Sequence, residues 1–285
     1  MYPKITPRDI TAIMSLYRFR YLTGTQLKRL HFPSLAAMWR RVHALLDMGI
    51  IKAFSAPHIP ERIFYLDKKG AEIVAIESRV ALEELNWHPH QRTPKDYYFL
   101  RHFLAVNDFF ITLHLCCQQN ASPLQLLGFI PEYKGEKTTD GHVKKYLRER
   151  VQNYSHTPDG VFCLGKDGKG ALFFLEIDRG GEVLTDEEKG FLKCIVFYLN
   201  YWQGTQWKRY EKDFNREFST FRMLLVTPSR ERLQHMREVV TAYPMRTQAK
   251  RFLWGTIESH ITSDWLFEPI WLPMDTTDTN LYRIG

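Results

Sequence analysis

"PDGVFCLGKDGKGALFFLEIDRGGE", residues 158–182, decides what the C-terminal half of this chain is built on. "GVFCL" and "ALFFLEI" are β-prone runs, and the "GKDGKG" between them carries the glycines of a tight turn, so the stretch reads as a hairpin. With so short a turn, the start of the first strand lies beside the end of the second. Asp159 therefore comes next to Glu176 and Asp178. Side chains alternate with period two along a strand, which points residues 176 and 178 to one face. Three carboxylates so placed are expected to hold Mg²⁺ or Mn²⁺, hard cations that take carboxylates, waters and substrate phosphates. Without a cation the same acids have ordinary duties: Asp159 caps a turn, Glu176 pairs with Arg179 or a lysine, and Asp178 opens the "DRGGE" loop.

Working outward, "FLRHFLAVNDFFITLHLCCQQN" predicts a strongly apolar helix interrupted by His102, Asn107 and Asp108. "LQLLGFIPEYK" predicts a strand that ends at Pro131–Glu132. Residues 133–157 read as a polar, basic loop with Lys134, Lys137, Lys144, Lys145, Arg148 and Arg150. Beyond the hairpin, "TDEEKGFLKCIVFYLNYWQ" predicts a helix capped by Thr185, with Glu188 three residues on. A strand "FRMLLVTPS", a helix "RERLQHMREVVTAY" and late strands in "RFLWGTI" and "PIWLP" follow. This order predicts an α/β domain around a central mixed sheet.

At the other end, Thr6 followed by Pro7 is the start signal of a helix whose buried face is Ile10, Ile13, Met14 and Tyr17. "GTQLKRLHF" is a short second helix ended by Pro33, and Ser34 caps a third, "SLAAMWRRVHALLDMGI", closed by Gly49. Two β-prone runs, "IIKAFSA" and "ERIFYL", and a helix "KKGAEIVAIES" come next. Three helices and then a hairpin are the order of a winged helix-turn-helix, in which the third helix enters the major groove and the wing touches backbone. Leu35, Met38, Val42 and Leu45 form the buried stripe of that third helix. The DNA-binding set is then Lys28, Arg29, Ser34, Trp39, Arg40, Arg41, Lys52 and Arg62, with His43 also outward. The same arginines would serve equally as a solvated face, and winged helices also dock proteins.

The segment 86–98, with two prolines and His88 and His90, reads as a linker between residues 1–85 and 99–285. The chain has 285 residues, 44% hydrophobic and 14% aromatic, enough for two domains with substantial cores. A net charge of +7 favours a polyanionic partner, above all double-stranded DNA. Cys116, Cys117, Cys163 and Cys194 fit neither a disulfide framework nor a zinc-binding spacing, so buried reduced thiols are expected. There is no signal-like N-terminus and no apolar run of membrane-spanning length, which points to a cytoplasmic protein. Phosphate-loop, HExxH and GxSxG motifs do not occur.

Pro158-Asp159 followed by Glu176-Ile177-Asp178 resembles the core of the PD-(D/E)xK nucleases, with Asp178 standing where that pattern has lysine. In that superfamily the lysine sometimes comes from the following helix, which makes Lys193, or else Lys189, its counterpart here; Glu132 or Asp108 would supply a further acid. Taken together, "RHFLAVND", "PDGVF" and "FLEIDRG" behind a winged helix are similar to the replication-relaxation family of plasmids and integrative elements, over roughly residues 6–230. The resemblance implies an α+β chain: an N-terminal winged helix-turn-helix, then a PD-(D/E)xK nuclease-like domain. It implies an accessory role in replication, relaxation or transfer of a mobile element, with a relaxase or replication initiator as partner and a homodimer as an option. Metal-dependent endonuclease activity through Asp159, Glu176, Asp178 and Lys193, and a regulatory or docking scaffold, are the alternatives.

Overall fold

The computed structural model describes residues 4–87, 97–119, 122–132, 136–137, 143–144, 147–186, 188–244 and 246–284. They divide into two compact units, Met1–Ile111 and Thr112–Gly285. The division falls inside a helix, and of the 86–98 segment residues 88–96, with His88 and His90, lie outside the described residues.

The first unit opens with α1 (Pro7–Phe19), β1 (Leu22–Thr23), α2 (Gly24–His31) and α3 (Leu35–Asp47). It continues with β2 (Ile51–Ala56), β3 (Ile59–Leu66) and α4 (Lys68–Ser78), and the strands form a sheet in the order β1-β3-β2. This is the winged helix-turn-helix that the sequence predicts. Local chemistry sets its boundaries. Thr6 and Asp9 make a capping box at the start of α1, and Thr23 and Gln26 make another at α2. The Ser34 hydroxyl accepts from Ala37 N at 3.2 Å to start α3, and Gly49, at φ 66°, turns the chain into the wing. Met38, Val42 and Leu45 are buried on α3 as expected, whereas Leu35, in the first turn, is exposed.

A long helix, α5 (Tyr97–Gln118), begins in this unit. Buried amides explain one of the polar residues that interrupt its apolar sequence. Asn107 Nδ2 donates to Phe19 O at 3.1 Å and Tyr21 O at 2.8 Å, while Gln26 Nε2 donates to Leu104 O at 3.0 Å. The Asn107 amide thus supplies donors to carbonyls of the turn after α1, where no regular ladder runs, and the turn is pinned to α5.

In the second unit, β4 (Gln125–Pro131) is followed by short pairs β5 (Glu136–Lys137) with β6 (Val143–Lys144) and β7 (Glu149–Val151) with β8 (Tyr154–His156). Part of the expected basic loop is thus a hairpin; Lys134 and Lys145 lie outside the described residues. The hairpin read from the sequence is β9 (Gly160–Lys166) and β10 (Lys169–Ile177), paired antiparallel. After it come α6 (Gly190–Gln203), α7 (Tyr210–Phe214), β11 (Phe221–Thr227), α8 (Arg230–Ala242), α9 (Arg246–Phe252), β12 (Leu253–Ile257) and β13 (Leu272–Pro273). The sheet order is β13-β12-β11-β10-β9-β4, with β10, β11 and β12 parallel and the remaining pairs antiparallel. It is the expected mixed sheet.

The helix after the hairpin starts at Gly190, not at the Thr185 cap that the sequence suggests. Gly190 sits at φ 72°, outside helical backbone, and a Cβ there would meet Val183 O at 2.3 Å. The acidic run before it closes a loop instead: Asp186 accepts from Glu188 N at 2.8 Å, and Phe191 N donates to Val183 O at 3.0 Å. Against the sheet, α6 lays Phe197, Tyr198 and Tyr201, and the Phe174 ring of β10 meets Tyr198, Tyr201, Tyr210 and Phe221 within 5.7 Å.

Within the first unit, the pair that locks α3 to α1 is Arg41 with Asp9. Arg41 Nε donates to Asp9 Oδ1 at 3.0 Å and its Nη2 to the other oxygen, around a carboxylate that is 0% exposed. Burial alone would push Asp9 up, but hydrogen bonds from Arg41 and Thr6 outweigh it and hold the carboxyl below its ordinary 3.8. Removing the arginine strands a buried charge, so Arg41→Ala is expected to destabilise this unit by about 3 kcal/mol in urea unfolding. The depressed carboxyl fixes the sign of the pH effect: the stability that ionised Asp9 gives the wild type is complete above pH 3.8 and is lost as the pH falls through the depressed value.

Candidate functional site

Two sets of residues carry the functional expectations, one in each unit. In the winged helix, Arg40 and Arg62 are exposed, and so are Ser34 and His43. Trp39 is half-buried: its ring stacks on His43 at 5.5 Å and meets Phe64 edge-on at 5.9 Å. Lys28 is half-buried on α2. Lys52 is exposed and paired with Asp67 at 3.0 Å, and Arg29 pairs with Asp108 at 2.7 Å. Arg41, expected outward, is turned inward onto Asp9. The reason is geometric: it follows Met38 by three residues and precedes Leu45 by four, which places it along the buried stripe. Of this basic set, Arg40 on α3 and Arg62 on the wing are exposed, and so is Lys52 beside Asp67.

In the second unit, the hairpin brings Asp159 and Glu176 together as expected. Gly160 stands opposite Leu175, Asp159 N donates to Leu175 O at 3.2 Å, and Asp159 Oδ2 accepts from Ile177 N at 2.6 Å. Glu176 is held from two sides. His156 Nε2 lies 2.7 Å from its Oε1, and the Tyr198 hydroxyl donates to the same oxygen at 2.6 Å. Cys194 Sγ is 3.7 Å from His156 Nε2.

Asp178 does not join them. Its carboxylate, 2% exposed, takes a forked pair from Arg232, Nε to Oδ2 at 2.9 Å and Nη2 to Oδ1 at 3.1 Å. Lys193 is exposed on α6, whose neighbouring residue Cys194 turns toward the site instead. Lys189 is the N-cap of α6, in extended backbone, and pairs with Asp186 at 3.4 Å. Glu132 is buried beside Asp159, its N–H donating to Asp159 O at 3.3 Å, whereas Asp108 belongs to the first unit with Arg29.

The three acids that the sequence expects around Mg²⁺ or Mn²⁺ are each engaged within the protein. Of the three acids, one is neutralised by a guanidinium, one is held by an imidazole and a phenol, and the third by a backbone amide. His156, Cys194, Tyr198 and Arg232 are the residues that sequence reasoning misses. Their local signals are faint: His156 precedes Pro158 by two residues, and Cys194 and Tyr198 share a helix face at i and i+4. Arg232 has none.

Burial and the pairing of His156 with Glu176 together set the protonation of this cluster. Burial opposes the imidazolium of His156, yet the Glu176 carboxylate beside it holds the ring well above its ordinary 6.5. Glu176 itself is raised, chiefly by burial, against the pull of His156. Burial pushes the Cys194 thiol up to about 12, with His156 opposing.

His156 is presented by a second buried acid. Glu149, on the partner strand of the short hairpin, accepts from Tyr201 Oη at 2.6 Å and Tyr210 Oη at 2.8 Å, with Arg209 Nη2 3.0 Å away. This anchors β7 to α6, and β8 pairs with β7 so that His156 stands opposite Glu149 in register.

The sequence model of the family described as replication-relaxation matches residues 13–216. No curated protein matches. Among solved structures, a MarR mutant from E. coli complexed with operator DNA is 19% identical, over 35% of this chain and 73% of that one, at a TM-score of 0.26. The restriction endonuclease FokI is 9% identical, over 88% of this chain and 42% of that one, also at 0.26.

The Arg232–Asp178 pair and Lys193 separate cleanly by substitution. Arg232→Ala leaves a buried carboxylate unpaired and is expected to cost about 3 kcal/mol. Lys193→Ala, at an exposed position, is expected to stay within about 0.5 kcal/mol of wild type. Chemical denaturation of the two variants checks the difference; equal effects would mean that Arg232 does not support the fold.

Proposed function

This chain belongs to the replication-relaxation family, and from that premise we propose that it is a DNA-binding accessory protein in the replication, relaxation or transfer of a plasmid or integrative element. The observation that carries the reading is the winged helix with Arg40 and Arg62 open to solvent on its third helix and wing. A recognition helix of this kind lies in the major groove of double-stranded DNA, and wing cations touch phosphate. Charge acts in the same direction, since the chain carries +7 overall. In this reading Ser34, Arg40 and His43 face the groove, while Arg62 and Lys52 lie along the backbone. Arg29 and Arg41 hold the fold through Asp108 and Asp9. A relaxase or replication initiator is the protein partner that such an accessory would serve.

Strand cleavage is not part of the proposal. Asp178 stands where the nuclease-like pattern has lysine and is itself engaged by Arg232, and Lys193 faces solvent. The second unit then acts as a folded module rather than as a hydrolytic centre.

The reading is tested by reversing the two open charges. Arg40→Glu with Arg62→Glu should weaken DNA binding in a gel shift at moderate salt by tenfold or more. The dependence on salt should flatten by about 0.9 in log–log slope for each phosphate that the variant no longer neutralises. Both residues are exposed, so the double variant should fold as the wild type does, and unchanged binding would overturn the reading.

A further inference from the structure

We infer that His156, Glu176 and Cys194 form a binding site for Zn²⁺ or a divalent ion of like preference. The inference does not depend on DNA binding. Three different ligand types converge from three elements: an imidazole at the end of β8, a carboxylate near the end of β10, and a thiol in the first turns of α6. Their nearest ligand atoms all lie within 4.8 Å of one another.

The donor set selects the ion. Nitrogen and sulfur favour zinc, cobalt and related borderline ions, whereas Mg²⁺ and Mn²⁺ favour oxygen. The sulfur–nitrogen spacing agrees with tetrahedral zinc. Bonds of about 2.05 Å to nitrogen and about 2.3 Å to sulfur set those two ligands roughly 3.5 Å apart; the Cys194 Sγ to His156 Nε2 distance is 3.7 Å. The same geometry sets nitrogen and carboxylate oxygen roughly 3.3 Å apart, against the 2.7 Å of the His156–Glu176 hydrogen bond. Entry of the ion therefore replaces that hydrogen bond and opens the pair by about 0.6 Å, a small swing of the Glu176 side chain. As the ion enters, the Cys194 thiol and the His156 Nε2 each give a proton to solvent, so that the sulfur binds as thiolate and the ring as neutral imidazole.

Supporting groups are already in place. Tyr198 donates to the Glu176 oxygen at 2.6 Å, the kind of outer hydrogen bond that orients a ligating carboxylate. The Phe197 ring packs 5.3 Å from the imidazole. Three protein ligands leave a fourth position for water. Bound there, the ion ties the β7–β8 hairpin to the central sheet and to α6.

The test uses the full-length protein stripped of metal and titrated with Co²⁺, whose thiolate charge-transfer absorption reports a cysteine ligand. A single equivalent should produce the band; Cys117→Ser should keep it, and Cys194→Ser should abolish it. Tyr198→Phe should weaken binding about tenfold. Absence of the band in wild type, or its survival in Cys194→Ser, overturns the inference. Should Cys194→Ser not fold, X-ray absorption of the Zn²⁺-loaded wild-type protein decides: one sulfur among the ligands supports the site, and none, or more than one, overturns it.

Discussion

A carboxylate removed from water must find a donor, and that constraint organises the second unit. Four of the acids at one end of its sheet or beside it show how: Glu149, Asp159, Glu176 and Asp178. Glu149 draws in Tyr201, Tyr210 and Arg209, Glu176 draws in His156 and Tyr198, and Asp178 draws in Arg232 from the start of α8. Asp159 stays within the hairpin and uses the amide of Ile177. The aromatic packing around Phe174 would tolerate small slips of α6 over the sheet; the tyrosine hydroxyls of that same helix would not, because each has a single buried oxygen to reach.

What the sequence reveals is what depends on near neighbours. The Thr6 cap, Ser34, Gly49 and the tight turn at 166–169 are local, and each falls where the residues indicate. The approach of Asp159 to Glu176 is legible for the same reason, since a short hairpin fixes register on its own. Asp178 is different. Its partner lies 54 residues further on, and Glu149 reaches Tyr201 and Tyr210 over 52 and 61 residues. Nothing in a run of residues announces such pairs. The start of α6 fails for a subtler reason: a sound capping pattern at Thr185 is overruled by one glycine whose left-handed backbone the helix cannot accept.

Adjacent arginines on α3 show how narrow the margin is between structure and function. Arg40 and Arg41 differ by one residue and about 100° around the helix. One is exposed, and the other is committed to a buried aspartate that also caps α1. A basic run read as a unit hides this division. The periodicity of Met38, Val42 and Leu45 contains it, because residue 41 falls within reach of that stripe and residue 40 does not.

The same arithmetic of charge bears on what the acidic end of the sheet can hold. A hard divalent cation needs carboxylate oxygens with negative charge to offer. Here Arg232 cancels Asp178, and the charge on Glu176 is shared with His156. Asp159 keeps one oxygen committed to the chain itself. Mg²⁺ must compete with those partners and also surrender tightly held water. A borderline ion makes a different exchange: it takes over the proton sites of an imidazole and a thiol and gains bonds that magnesium does not favour. A buried Asp178 obliges the fold to supply an arginine from α8, and among the described residues His156, Glu176 and Cys194 are the three whose ligand atoms converge.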